Sequence, residues 1–168
     1  MDREQSNKHR RSIRLPCYDY AAGGAYFVTV CTKGRECLLG EITDGEMKIN
    51  HFGEIVTGEL LRTAKIRPNV SIDEYVVMPN HFHAIIVIDT SCRGTLQRAP
   101  TMESFGKPTT NSIPTIVRLI KSITTKRINL TRGMPAAPVW QRGYFDRIIR
   151  DALELERIRQ YIAENPGQ

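Results

Sequence analysis

The segment Ile72–Ile88 leaves this chain few ways to fold. Two runs rich in β-branched residues, Ile72 to Met78 and His81 to Ile88, meet at Pro79-Asn80. Proline presets φ and asparagine tolerates turn geometry, so this dipeptide marks a tight corner. Two such runs around a corner read as a pair of antiparallel strands. The second continues as Ala84-Ile85-Ile86-Val87-Ile88, an apolar run that suits the centre of a sheet.

The remaining elements follow from periodicity and punctuation. Ala25 to Thr32 is β-branched and aromatic and reads as a strand. Residues Cys37 to Ile42 and Glu46 to Ile49, separated by Asp44-Gly45, read as an accessory hairpin. Asn50 is placed to cap a helix reaching about Lys65, with Phe52, Ile55, Val56, Leu60 and Leu61 as its apolar side. From Asp89 to Ser112 the chain is polar and aperiodic, a long loop (89–112) of the kind that is either disordered or functional. Ile113 to Arg127 is amphipathic, with Ile113, Ile116, Val117, Ile120 and Ile123 on one face. A strand around Tyr144 to Ile149 follows. A last helix begins at Asp151, where Asp151 and Glu154 have capping-box spacing, and stops before Pro166. Without the hairpin and the last helix, the order is β-α-β-β-α-β. The expected class is therefore α+β: a ferredoxin-like, split βαβ antiparallel sheet in one domain spanning 1–168, with a basic arm at 1–20.

Charge and composition exclude more than they assign. Lys and Arg total 24 against 18 acids, a net charge of +6, which leans toward a polyanionic partner. The first fourteen residues are polar and basic, without the apolar core of a signal peptide. No apolar run approaches the length of a membrane helix. The expectation is a soluble, cytoplasmic protein without a membrane partner. Cys17, Cys31, Cys37 and Cys92 form no Cys-x-x-Cys pair, so a zinc ribbon is not indicated. Phe105-Gly106-Lys107-Pro108 fails the phosphate-loop pattern, because proline stands where Ser or Thr is needed.

The residues able to carry chemistry are His81 and His83. Two apart on a strand, they project from the same face, while Phe82 points into the opposite layer. Two adjacent imidazoles make half of a divalent-cation site, although short His-x-His patterns also recur by chance. On the last helix, Leu155, Ile158 and Ile162 form the apolar stripe, and Tyr161 and Asn165 flank it one turn apart. There a tyrosine is either an amphipathic interface residue or a hydroxyl offered to a neighbouring cleft. Arg10, Arg11, Arg14, Arg118, Lys121 and Lys126 are candidate contacts to a nucleic-acid backbone, or equally a solvated basic surface. Trp140 and Tyr144 are candidates for base stacking, though a lone Trp is more often a core anchor.

Together these segments resemble the REP-associated tyrosine transposases of the HUH superfamily of single-strand DNA nucleases. The resemblance rests on Arg14-Leu15-Pro16 with Tyr18-Asp19-Tyr20, Gly24 to Thr29, Tyr75 to His83, Phe105 to Pro108, Val139 to Arg142, and Tyr161-Ile162 ahead of Asn165-Pro166. It implies that His81 and His83 bind Mg²⁺ or Mn²⁺, and that Tyr161 is the nucleophile, on a C-terminal catalytic helix, taking a 5′-phosphate linkage. It also implies that Asn165 is a third, amide-type ligand. The implied substrate is single-stranded DNA folded into hairpins at palindromic repeats, cleaved and rejoined by a monomer or a homodimer. Two departures stand out. Arg147 occupies a position where many relatives carry histidine, and Asn165 lies close to Gln168, at the end of the last helix. They keep open a non-catalytic hairpin-binding protein as the alternative. An RNA-binding module with the same strand order is less apt, because Tyr26 and Phe27 are adjacent and cannot stack on one face.

Overall fold

The computed structural model describes residues 18–91 and 109–165. Its centre is a four-stranded antiparallel sheet of β1 (Gly24–Cys31), β4 (Val70–Met78), β5 (His81–Ile88) and β6 (Phe145–Ile149), in the order β4-β5-β1-β6. The helices α1 (His51–Ile66) and α2 (Ile113–Thr131) connect strands that are not neighbours, as the split βαβ arrangement requires. β2 (Gly40–Thr43) and β3 (Glu46–Ile49) form a separate hairpin, closed at Asp44 and Gly45 with φ of 55° and 79°. Positive φ at both central residues is the geometry that matches the twist of a hairpin.

Strand alternation divides the sheet into two unequal faces. On one, Tyr26, Val28 and Val30 of β1 and Phe82, Ala84, Ile86 and Ile88 of β5 pack with Ile55, Val56 and Leu60 of α1 and Ile113, Ile116, Val117 and Ile120 of α2. On the other, Ile85 and Ile149 meet Ile162 of α3 (Ala152–Glu164), with Phe27, Val76, Leu155 and Ile158 around them. The first face carries most of the hydrophobic stabilisation. The second is half covered and leaves room beside α3. No helix among the described residues is long and apolar enough to cross a membrane.

Local chemistry explains most element boundaries. The Asn50 carboxamide accepts from the backbone N–H of Phe52 and Gly53, giving α1 a side-chain cap. Leu61, expected on the apolar side of α1, is 42% exposed instead. α2 runs four residues past Arg127. Asn129, Leu130 and Thr131 are mostly weak helix formers, so local propensity ends the helix early. The buried Asn129 side chain, donating to the Ala137 carbonyl, fastens the last turn. At α3, Asp151 accepts from the N–H of Glu154, but Glu154 accepts from the N–H of Arg150 rather than completing the reciprocal box.

One long-range ion pair fixes how α3 lies on the sheet. Between Ile72 and Tyr75, three steps along β4 match two along β5, a bulge that sends Asp73 toward α3. The Arg159 guanidinium grips both carboxylate oxygens of Asp73, with Nε and Nη2 each at 2.8 Å. This fork raises the Arg159 pKa above its already high ordinary value. Asp73→Asn removes the charge and half of the fork. Its expected result is several-fold faster amide exchange confined to α3, read by native-state hydrogen exchange.

Candidate active site

His81 and His83 stand at the start of β5, on the face that α3 only partly covers. Phe82 between them is buried in the opposite layer, edge-on to Trp140 at 5.6 Å between centroids. The alternation that buries Phe82 therefore turns both imidazoles toward α3. Their Nε2 atoms lie 3.1 Å apart. Each Nδ1 is held from behind. His81 Nδ1 meets Asn80 Oδ1 at 2.6 Å, and His83 Nδ1 meets Thr29 Oγ1, from the neighbouring strand, at 2.8 Å.

α3 brings Tyr161 over this pair. Burial of Ile162 anchors the turn, and the Tyr161 hydroxyl comes to 3.5 Å from His83 Nε2, longer than a good hydrogen bond. Phe27 stacks on the His83 ring at 5.1 Å between centroids, and Tyr161 stands edge-on to Phe27 at 6.2 Å. Tyr161 as a whole is 42% exposed. Asn165 is buried at the end of α3, one turn after Tyr161.

The electrostatics keep both rings neutral. Burial, then the neighbouring His81, pulls the His83 pKa down to about 4. Burial, then the charge of Arg35, lowers that of His81. Neutral imidazoles have lone pairs to offer a cation at pH 7. Two ligands about 2.1 Å from one octahedral ion and at right angles are about 3 Å apart, which the Nε2 separation matches. Among the described residues no cluster of three His, Cys, Asp or Glu is available, so further ligands would come from Asn165, water or a phosphate oxygen. An imidazole pair completed by water and phosphate oxygens is a mixed nitrogen and oxygen donor set that a divalent cation accepts.

The other sequence candidates fall elsewhere. Arg10, Arg11 and Arg14 lie outside the described residues, as does most of the 89–112 loop. Arg118 and Lys126 are exposed on α2, across the sheet from the histidines. Lys121 is committed to structure: its ammonium donates to the carbonyls of Gln141 at 2.6 Å and Gly143 at 3.0 Å. These bonds hold the segment leading from Trp140 into β6. Lys121→Met leaves two carbonyls short of a donor and is expected to cost about 1–3 kcal/mol of stability, measured by urea denaturation. A mere phosphate contact would instead leave stability unchanged and flatten the salt dependence of DNA binding.

Trp140 is a core residue, and Tyr144 is half-buried at the edge of the core. Trp140 is 7% exposed with its indole N–H on Thr124, and Tyr144 packs against the main cluster. Arg147 stands opposite Phe27 on β6, its guanidinium paired with Glu154 in the first turn of α3. It thus helps seat the helix rather than touching the imidazoles. A cleft of about 520 Å³ lies beside it, lined by Arg147, Arg150, Arg157 and Leu153 among others, and does not include the histidines. Sequence reasoning missed Thr29, Asn80, Phe27 and Arg35 as neighbours of the site. Only Asn80, next to His81, carried a local signal. Phe145, 50% exposed opposite Thr29 on β6, was missed too.

The arrangement defines a class: a split βαβ sheet with two convergent histidines on its central strand and a helical tyrosine beside them. No family model matches the chain. A solved REP-associated tyrosine transposase, bound to a REP hairpin, superposes with a TM-score of 0.57 at 20% identity, covering 94% of this chain and 73% of that one. The fold is therefore that of a REP-associated tyrosine transposase. A Haemophilus influenzae protein, described only as uncharacterized, is 38% identical over 161 residues, which is 94% of this chain and 88% of its own. The chain belongs to one family with that protein.

Proposed function

We propose that this protein is a metal-dependent single-tyrosine DNA transposase that cleaves and rejoins single-stranded DNA at hairpin-forming palindromic repeats. The observation that carries the reading is the Tyr161 hydroxyl at 3.5 Å from His83 Nε2, from residues 78 positions apart in sequence. The likeness to a transposase that binds a REP hairpin supports DNA as the partner.

The chain's own groups suffice to orient the step. The Tyr161 oxygen attacks the scissile phosphorus and loses its proton to water. The phosphorus–oxygen bond to the upstream 3′-oxygen breaks, and that oxygen leaves as a free 3′-hydroxyl after taking a proton. The 5′-phosphate remains on Tyr161, conserving the bond so that another 3′-hydroxyl can reverse the step. Mg²⁺ or Mn²⁺, held by His81, His83 and Asn165, would supply positive charge to the non-bridging oxygens. Phe27 fixes the plane of the His83 ring, and Ile162 fixes the turn that presents Tyr161.

The test is adduct trapping. The protein is incubated with Mg²⁺ or Mn²⁺ and hairpin oligonucleotides labelled at the 3′ end, on the side of the scissile phosphate that stays with Tyr161, then run on denaturing gels. A metal-dependent, slower protein–DNA band is expected. Tight hairpin binding with no band under any divalent cation would instead establish the non-catalytic hairpin-binding protein.

A further inference from the structure

Among the Phe, Tyr and Trp side chains of the described residues, only Tyr161 and Phe145 are exposed, and both stand on the histidine face of the sheet. Phe145 of β6 lies directly opposite Thr29 of β1, which lies directly opposite His83 of β5. Opposed residues share a face. With strands about 4.8 Å apart, the Phe145 backbone is about 10 Å from that of His83, on the sheet's edge strand. A continued ladder would put another residue there. Thr32 pairs with Trp140, so the register would carry on to meet Thr29 with Gly143. Instead the chain takes two extra residues between Trp140 and Phe145, and the surplus forms a bulge. Lys121 fastens that bulge through the carbonyls of Gln141 and Gly143. Bulges beside active sites re-aim side chains, and this one exchanges a glycine for a phenyl ring.

We infer that Phe145 is a stacking platform for an unpaired nucleobase beside the phosphate that Tyr161 attacks, held in place by the bulge that Lys121 fastens. This rests on the single-stranded DNA part of the proposed function. Phe145 is the one exposed large apolar side chain of the four-stranded sheet among the described residues. An edge strand is ordinarily blunted by charge, so an open phenyl there needs a use. A flat apolar ring suits a base, since every base offers a π-face whatever its identity. Exposed Arg142 in the bulge and Arg147, two residues on along the same face, set positive charge on either side for the backbone. Bases within a paired stem are already stacked on each other. The ring therefore favours nucleotides left unpaired next to a hairpin, without reading their sequence.

The experiment is an abasic scan read by fluorescence anisotropy, without divalent cation so that cleavage does not enter. The probes are labelled hairpin oligonucleotides with unpaired extensions on both sides, each extension base removed in turn. In the wild-type chain, loss of one particular base is expected to weaken binding about 5–150-fold. Phe145→Leu keeps the apolar bulk but not the flat ring. It should bind the intact probe more weakly by a similar factor and no longer respond to that abasic site. Phe145→Tyr should behave as the parent. If folded Phe145→Leu keeps the wild-type pattern of abasic losses, the inference is overturned and the DNA reading stands. A uniform loss with that pattern unchanged also overturns it, and assigns the ring to another contact, such as one between copies of the chain. If the wild-type chain binds none of these probes, the DNA reading fails and the inference falls with it.

Discussion

Tyr161→Phe is expected to abolish the covalent protein–DNA adduct and to lower strand cleavage by at least about 10⁴-fold, while hairpin affinity stays close to that of the parent. The scale follows from what is lost. Removing a nucleophile takes away the bond-forming group itself, and such losses reach about 10⁴–10⁶ in rate. Binding is spared because the ring, with its edge-on contact to Phe27, remains. The phenol is 42% exposed and its nearest polar neighbour stands at 3.5 Å, so stability should move by no more than about 0.5 kcal/mol. Three measurements separate the possibilities: the gel for the adduct, a filter or anisotropy assay for binding, and a melt for the fold. Adduct formation surviving in Tyr161→Phe would remove Tyr161 from the chemistry.

His83→Gln is the second large effect, expected to lower Mn²⁺ affinity and adduct formation by about 10²–10³-fold or more. His83 contributes one of the two convergent nitrogens, and glutamine offers no imidazole lone pair at that place. The same residue sets an unusual pH dependence. An ordinary histidine would charge near pH 6.5 and release a cation there. Burial holds His83 neutral until about pH 4, so its own contribution to cation binding should persist through pH 5.5 and fall only nearer 4. The linked effect on stability has a definite sign. The unfolded chain takes up this proton near 6.5 and the folded chain only near 4. Between those values the unfolded state therefore holds more protons, and stability falls as pH falls, by up to about 3 kcal/mol over the whole window. Urea titrations from pH 7 to 4 on wild type and His83→Gln check this. The variant should lack that component and show a shallower decline.

Much of this fold was legible because period-2 and period-3.6 patterns are written locally. Ala84–Ile88, the Asp44-Gly45 turn and the Asn50 cap each state their own conformation through sterics or one side-chain bond. The errors were of a different kind. Arg127 looked like the end of α2 because the bond from Asn129 to the Ala137 carbonyl is tertiary. Leu61 looked like a core residue because apolarity alone does not say which face a neighbour covers. Lys121 looked like a free surface cation, since nothing adjacent to it announces the carbonyls twenty positions on. The pairing of Arg147 with Glu154 was equally out of sight, because it joins β6 to α3.

The candidate site divides along the same line. The sequence by itself determined that His81 and His83 share a face and that Phe82 opposes them, because strand alternation is a property of the backbone. It also determined that Tyr161 and Asn165 lie one helical turn apart. Only the tertiary structure decided that Tyr161 meets His83, because packing of Ile162 and the grip of Arg159 on Asp73 set where α3 lies. The same packing brought Thr29 behind one ring and Phe27 over it, through the register of β1 against β5. Local pattern fixes direction along an element. Which directions converge depends on desolvated contacts between elements far apart in the chain, and no short stretch of sequence encodes those.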